Sequence, residues 1–95
     1  ADKSIFRFFE KDDYTCVGDD ATKLSEIYFN SDSVLKTHED LKYSTFNKNM
    51  FEQIIKYLLT DQHHIIELYQ FKNASWCLKG KASPGNFGVF EDLMS

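Results

Sequence analysis

The sequence predicts an α+β domain, a mixed or antiparallel sheet of about six strands with three helices in the order ββαββαββα. Three observations predict it. Aromatic and β-branched segments recur in pairs around short polar turns, as hairpins do. Phe51, Ile54, Ile55, Leu58 and Leu59 form a continuous apolar stripe at helical spacing. Two shorter stretches, Ala21 with Leu24, Ile27 and Tyr28, and Phe87 with Phe90, Leu93 and Met94, carry the same period.

The elements follow in order. Ser4-Ile-Phe-Arg-Phe-Phe9 and Tyr14-Thr-Cys-Val17 predict two strands around the polar knot Glu10-Lys-Asp-Asp13. Gly18-Asp-Asp20 stops the second strand and offers a capping carboxylate to the helix that begins at Ala21. That helix frays at Asn30-Ser-Asp-Ser33, whose side chains compete for backbone hydrogen bonds. Val34–Lys36 and Leu41–Phe46 read as short strands around the loop Thr37-His-Glu-Asp40, with Leu41, Tyr43 and Thr45 on the half-buried face of the second.

Asn47-Lys-Asn49 opens the central helix, and Asn49 with Glu52 resembles a capping box. Burying its five-residue stripe stabilises by about 8–15 kcal/mol gross, before conformational entropy is subtracted. The helix must therefore lie on a sheet. A second hairpin follows, from His64–Phe71 and Trp76–Lys81 around Lys72-Asn-Ala-Ser75. The only proline, in Ser83-Pro-Gly-Asn86, turns the chain towards a short closing helix. No repeat, linker or low-complexity segment interrupts residues 1–95, which read as a single domain.

Composition narrows the function. With 42% hydrophobic and 16% aromatic residues, the chain can bury a core without staples. Eleven basic residues against 15 acidic ones give a net charge of −4. Tight autonomous DNA binding draws on neutralised phosphates, so this balance argues against it. No stretch approaches a transmembrane length, and no membrane partner is expected. Cys16 and Cys77 lack ligand spacing and are expected to be reduced and packed as small apolar groups.

The chemistry-bearing residues favour structural roles. His63 and His64 are adjacent, so on a strand they point to opposite faces and cannot chelate together. Nucleophile signatures and phosphate-cradling glycine loops are absent from the sequence. Asp12 and Asp13 suit a turn, and Asp19 and Asp20 suit a helix start, better than they suit acid/base chemistry or Mg²⁺. No catalytic residue and no metal ligand emerges, so the fragment is not expected to be an enzyme. Lys72, Lys79 and Lys81 lie in a stretch free of acids, with Lys79 and Lys81 expected on one strand face.

Three stretches carry a resemblance. Phe6-Arg-Phe-Phe-Glu-Lys11 with Tyr14-Thr-Cys-Val-Gly-Asp-Asp-Ala21 is the first. Asn47–Leu59, with Met50-Phe51-Glu52, is the second. Lys81-Ala-Ser-Pro-Gly-Asn86 followed by Phe90-Glu-Asp-Leu93 is the third and most specific. Together they resemble the N-terminal mismatch-binding domain (domain I) of the MutS family of DNA mismatch-repair proteins, most closely its second eukaryotic homologue.

The resemblance implies a DNA-associated domain whose parent works in the nucleus, paired as a heterodimer with another MutS homologue on duplex DNA containing a mismatch or loop. It places ATP and Mg²⁺ in an ATPase domain elsewhere in the parent and no cofactor in this fragment. Mismatch-reading members carry Phe-x-Glu in the second strand of the first hairpin. Here the hairpin is one residue shorter: the Phe position falls on Asp13 or is deleted, and the Glu position is Thr15. An aspartate is repelled by phosphates and cannot stack on a base, so the resemblance implies a subunit that does not read the mismatch. Lys11, Asp12, Asp13, Tyr14 and Thr15 are then the DNA-proximal residues, making weak, backbone-directed contacts. Ser83, Pro84, Gly85 and Asn86 are the family motif. Two rival readings are a freestanding α+β protein-interaction module and a small nuclease or RNA-processing enzyme using Asp12 and Asp13.

Overall fold

The computed structural model describes residues 5–95, so Ser4, expected at the head of the first strand, lies outside the described residues. The strands are β1 (Ile5–Glu10), β2 (Tyr14–Val17), β3 (Lys36–His38), β4 (Leu41–Phe46), β5 (Ile65–Lys72) and β6 (Ser75–Ala82). The helices are α1 (Gly18–Leu24), α2 (Lys48–Thr60) and α3 (Glu91–Met94). A π-helical turn, Ser25–Phe29, extends α1, and a 3₁₀ turn, Gly88–Phe90, leads into α3. The six strands make one sheet in the order β3-β4-β2-β1-β5-β6. It is mixed: β1 and β5 run parallel at its centre, and every other pair is antiparallel.

The helices cover one face. Phe6 and Phe8 of β1, Cys16 of β2, Phe46 of β4, and Ile66 and Leu68 of β5 meet Leu24 of α1 and the complete predicted stripe of α2. That stripe needs the sheet, because a lone 13-residue helix is marginal in water. Phe8 and Phe90 both meet the Phe51 ring edge-on, which brings the C-terminal turn onto the same core. The radius of gyration, 12.8 Å, is that of a close-packed chain of this length.

Several local expectations shift. The third strand is Lys36–His38, because Glu39 and Asp40 (φ 48° and 68°) close a two-residue turn where a four-residue loop was expected. In β4 the buried face is inverted: Ser44 and Phe46 lie under the helices, whereas Leu41 is half exposed. The reason is register, since Tyr14 opposes Phe46 and Cys16 opposes Ser44 on the helix side. Alternation alone fixed the period of this strand and not its sign.

The cap of α2 is Asn47, whose Oδ1 accepts from the Met50 amide at 2.8 Å, and not Asn49. His63 (φ 57°) and His64 lie in the connection from α2 to β5, outside any strand; the His64 amide donates to Leu58 O, and its ring stands edge-on to Phe6. The α1 start at Gly18 (φ +63°) has no side-chain cap, so Asp20 is not the capping carboxylate. The closing helix is shorter than its apolar spacing suggested, with Phe87 before it and Gly88 at φ +51°.

Candidate functional site

The first hairpin sets the candidate site. Phe9 opposes Thr15 and Glu10 opposes Tyr14, so residues 11–13 form the turn, closed by a 3.0 Å bond from Lys11 N to Asp13 O. Asp12 and Asp13 are exposed at its tip. Tyr14 and Thr15, adjacent on β2, separate to opposite faces. Tyr14 stacks on Phe51 at 3.9 Å and 7° on the helix side, where burial, and then the charge of Glu10, raises its phenol above the ordinary range. Thr15 faces the open side of the sheet with Val17 and lines a groove of about 350 Å³ with Phe9, Lys11 and Trp76. Lys11 does not extend freely: its Nζ lies 4.7 Å from the Phe71 ring centre, a cation–π contact.

The second candidate group is a turn that positions the C-terminus. Ser83 N donates to Asn86 O at 2.8 Å, and Asn86 N returns a bond to Ser83 O at 3.0 Å. Pro84 and Gly85 occupy its two corners, where a fixed φ and a missing side chain suit a tight turn. Asn86 Oδ1 then accepts from the Gly88 amide at 3.1 Å. A side chain at Gly88 would meet Lys81 O at 1.9 Å, so the chain must cross there as glycine. Ala82 pairs with Ile66 near the start of β5, whereas Glu10 pairs with Gln70 near its end. The two groups therefore sit at opposite ends of the sheet and do not form one site.

The lysines do not share a face. A bulge between Leu68 and Tyr69 pairs Gly80 with Leu68 and Leu78 with Tyr69, leaving Lys79 out of step. Lys79 Nζ reaches Glu10 at 2.9 Å, whereas Lys81 Nζ lies 3.6 Å from Glu67. Glu67 is nearly buried on the open side, and its Oε1 accepts from both Arg7 Nε and Tyr69 OH at 2.9 Å. Cys77 is exposed, contrary to the expectation for both thiols. Cys16 is fully buried, and burial, aided by the Asp20 charge, pushes its thiol far up.

Sequence reasoning missed an aromatic cluster on the open face. Phe9 stacks against Tyr69 at 5.3 Å, and Trp76 meets Phe9 and Phe71 edge-on at 5.3 and 5.2 Å. The available signal was Tyr69, Phe71 and Trp76 flanking one hairpin turn at positions that hairpin pairing brings together. Among the described residues no group of three or more His, Cys, Asp or Glu could hold a metal ion, and no helix is long and apolar enough to cross a membrane.

No protein-family model matches the chain. Relatives do. DNA mismatch repair protein MSH2 of Arabidopsis thaliana is 33% identical over 99 residues, covering 98% of this chain and 11% of the relative. The protein of that name in Zea mays is 30% identical over 97 residues, covering 97% of this chain and 10% of its own length. That of Saccharomyces cerevisiae is 31% identical over 101 residues, covering 94% and 10%. The chain thus spans about a tenth of the length of the curated relatives it matches. Over nearly all its residues, this chain is homologous to a short N-terminal stretch of MSH2-type proteins of the MutS family.

Proposed function

We propose that this chain is domain I of a MutS-type mismatch-repair protein and serves the non-reading half of a heterodimer. The observation that carries the reading is the tip of the first hairpin. Its exposed residues are Asp12 and Asp13, with no aromatic side chain in the turn. Intercalating a wedge opens a base step at a cost of a few kcal/mol, recovered through the kinked duplex that follows. A carboxylate at that position gains nothing from the bases and is repelled by the phosphates. Lys11, Tyr14 and Thr15 do not offset this, since Lys11 rests on Phe71 and Tyr14 is packed on Phe51.

The domain then contributes weak, backbone-directed contacts, and the partner MutS homologue reads the mispair or loop. ATP and Mg²⁺ act in another part of the parent, which works in the nucleus. The relatives' name and the match along nearly all of the chain support this reading. The test is fluorescence anisotropy of the 95-residue chain with a mismatched duplex and its matched control. Equal affinities with Kd of roughly 10⁻⁴ M or weaker at physiological salt are expected. Micromolar affinity with a clear mismatch preference would overturn the proposal.

A further inference from the structure

The sheet face opposite the helices is segregated in charge and in ring content. Register puts Arg7, Lys36, Lys81 and Glu67 on it, and Glu67 is nearly buried beneath its partners. Lys11 adds a fourth cation above Phe71. A chain of net charge −4 therefore presents a cationic strand face. Trp76 and Phe71, cross-strand partners beside the β5–β6 turn, are 45% and 40% exposed at one edge of it, an unusual loss for two large rings in a small domain. The Arg7–Glu67–Lys81 row crosses the sheet four residues along β5 from Phe71, about 13 Å away at the usual strand rise.

We propose that this face binds single-stranded nucleic acid, stacking unpaired bases on Trp76 and Phe71 and drawing phosphates to Arg7, Lys81 and Lys11, whose ammonium leaves the Phe71 ring as a base takes its place. Rings on an open sheet face bordered by cations suit an unpaired strand, whose bases expose their π faces. A duplex hides those faces in its own stack and offers the sheet only its backbone. The groove beside Trp76, about 350 Å³ between Phe9, Lys11, Thr15 and Val17, is at the lower end of small-molecule site volumes, matching one planar group. Asp12 and Asp13 in the adjoining turn oppose the strand's charge and keep the affinity low. The site shares Lys11 and Thr15 with the first hairpin, but its stacking rings, Trp76 and Phe71, lie outside the residues of the proposed mismatch-repair role, and it does not depend on that role.

Trp76 is the only tryptophan, so its emission reports the site directly. Titrating a thymidine oligonucleotide of roughly twenty nucleotides at low salt is expected to quench Trp76 saturably, with Kd of about 10⁻⁵–10⁻⁴ M. The quenching weakens steeply with added salt, and a duplex of the same length quenches several-fold less. Phe71→Leu keeps apolar bulk but removes a stacking face, and it should weaken binding about tenfold with an unchanged urea midpoint. Lys11→Gln should flatten the salt dependence without abolishing quenching. Unchanged Trp76 emission, equal quenching by duplex, or displacement by polyphosphate as readily as by the oligonucleotide overturns the proposal. Unchanged emission would leave the face as a protein-docking surface instead. Equal, weak binding of matched and mismatched duplexes that is insensitive to Phe71→Leu leaves the mismatch-repair reading standing whatever happens to this one.

Discussion

Asp20 Oδ2 accepts a hydrogen bond from the Arg7 backbone amide at 3.0 Å, joining the first turn of α1 to the middle of β1. The β1–β2 ladder runs only from Glu10–Tyr14 to Phe9–Thr15, because the chain turns into α1 directly after Val17. The carboxylate satisfies an amide that the departing strand leaves without a ladder partner. Asp20→Ala should therefore cost about 1–3 kcal/mol, the penalty for orphaning a shielded donor. Asp20→Asn, which retains an acceptor, should cost less. Urea midpoints decide the matter, and an unchanged midpoint for the alanine variant would show that water replaces the carboxylate there.

Ile55 is completely buried in the middle of the α2 stripe. Ile55→Ala should cost about 2–5 kcal/mol through the cavity it leaves beneath the sheet. Lys48→Ala, at the exposed helix start, should cost under about 0.5 kcal/mol. Comparable urea midpoints for the two variants would contradict the packing of α2.

The β5–β6 hairpin turns on Asn73 and Ala74, both left-handed at φ 53° and 61°. Asparagine tolerates that conformation, whereas alanine's Cβ is strained by about 1–2 kcal/mol. Ala74→Gly produces the Asn-Gly pair that such turns favour. A net gain of about 0.5–1 kcal/mol should raise the melting temperature by roughly 3–6 °C. Differential scanning calorimetry measures it, and a lower melting temperature would mean that the turn is not left-handed at this residue.

The two thiols should differ sharply in reactivity. Burial holds Cys16 protonated far above the ordinary thiol range, while Cys77 is exposed on the sheet-edge strand β6. A maleimide reagent under native conditions should modify one thiol per chain, mapped to Cys77 by mass spectrometry. Cys16 should react only after denaturant unfolds the sheet, because the thiolate is the reactive form and access is blocked. Equal labelling of both in native buffer contradicts the packing of β2.

Restoring a wedge should not create a mismatch reader. On the proposed reading, in which this hairpin is one residue shorter than that of mismatch-reading relatives, Asp13→Phe and Thr15→Glu misplace the ring and carboxylate on a turn confined to residues 11–13. Recognition geometry tolerates about 0.5 Å of misplacement. Discrimination between mismatched and matched duplexes should stay near unity until a glycine is also inserted between Lys11 and Asp12. A competition series measures this directly. Strong discrimination by the double substitution alone would show that the hairpin is aligned wrongly with its relatives.

Sequence and structure agree most closely where a long pattern has only one solution. The stripe of α2 is one such case, since five residues at helical spacing leave a single face to bury. Shorter segments carried a period but no sign. In β4 either parity holds an aromatic, and only pairing with Tyr14 and Cys16 decides that Phe46, not Tyr43, lies beneath the helices. The bulge at Lys79 was illegible for a related reason: it depends on where β5 and β6 fall out of step, which is a relation between strands. The stretch around Asp20 offered a plausible cap, but its actual partner is 13 residues away. The candidate site was legible as a turn with two aspartates. The aromatic face beside it was legible only in part: hairpin pairing brings Phe71 to Trp76, but Phe9 joins Tyr69 and Trp76 only when β1 pairs with β5.

The parallel pairing of β1 with β5 also orders events in time. Ile5 pairs with Ile65 and Glu10 with Gln70, so the two central strands are separated by 60 positions of chain. As synthesis proceeds, β1, β2 and β4 can assemble as soon as residue 46 is available, through the β1–β2 hairpin and the antiparallel β2–β4 ladder. The other edge of β1 must wait for the whole of α2 and then β5. Until then a nascent chain exposes a bare strand edge beside Phe6 and Phe8, the kind of surface that invites pairing with other chains. Closing that long loop is also the slowest class of step in assembling a small domain. The same ladder that gives the finished sheet its centre makes the half-made protein its most vulnerable form.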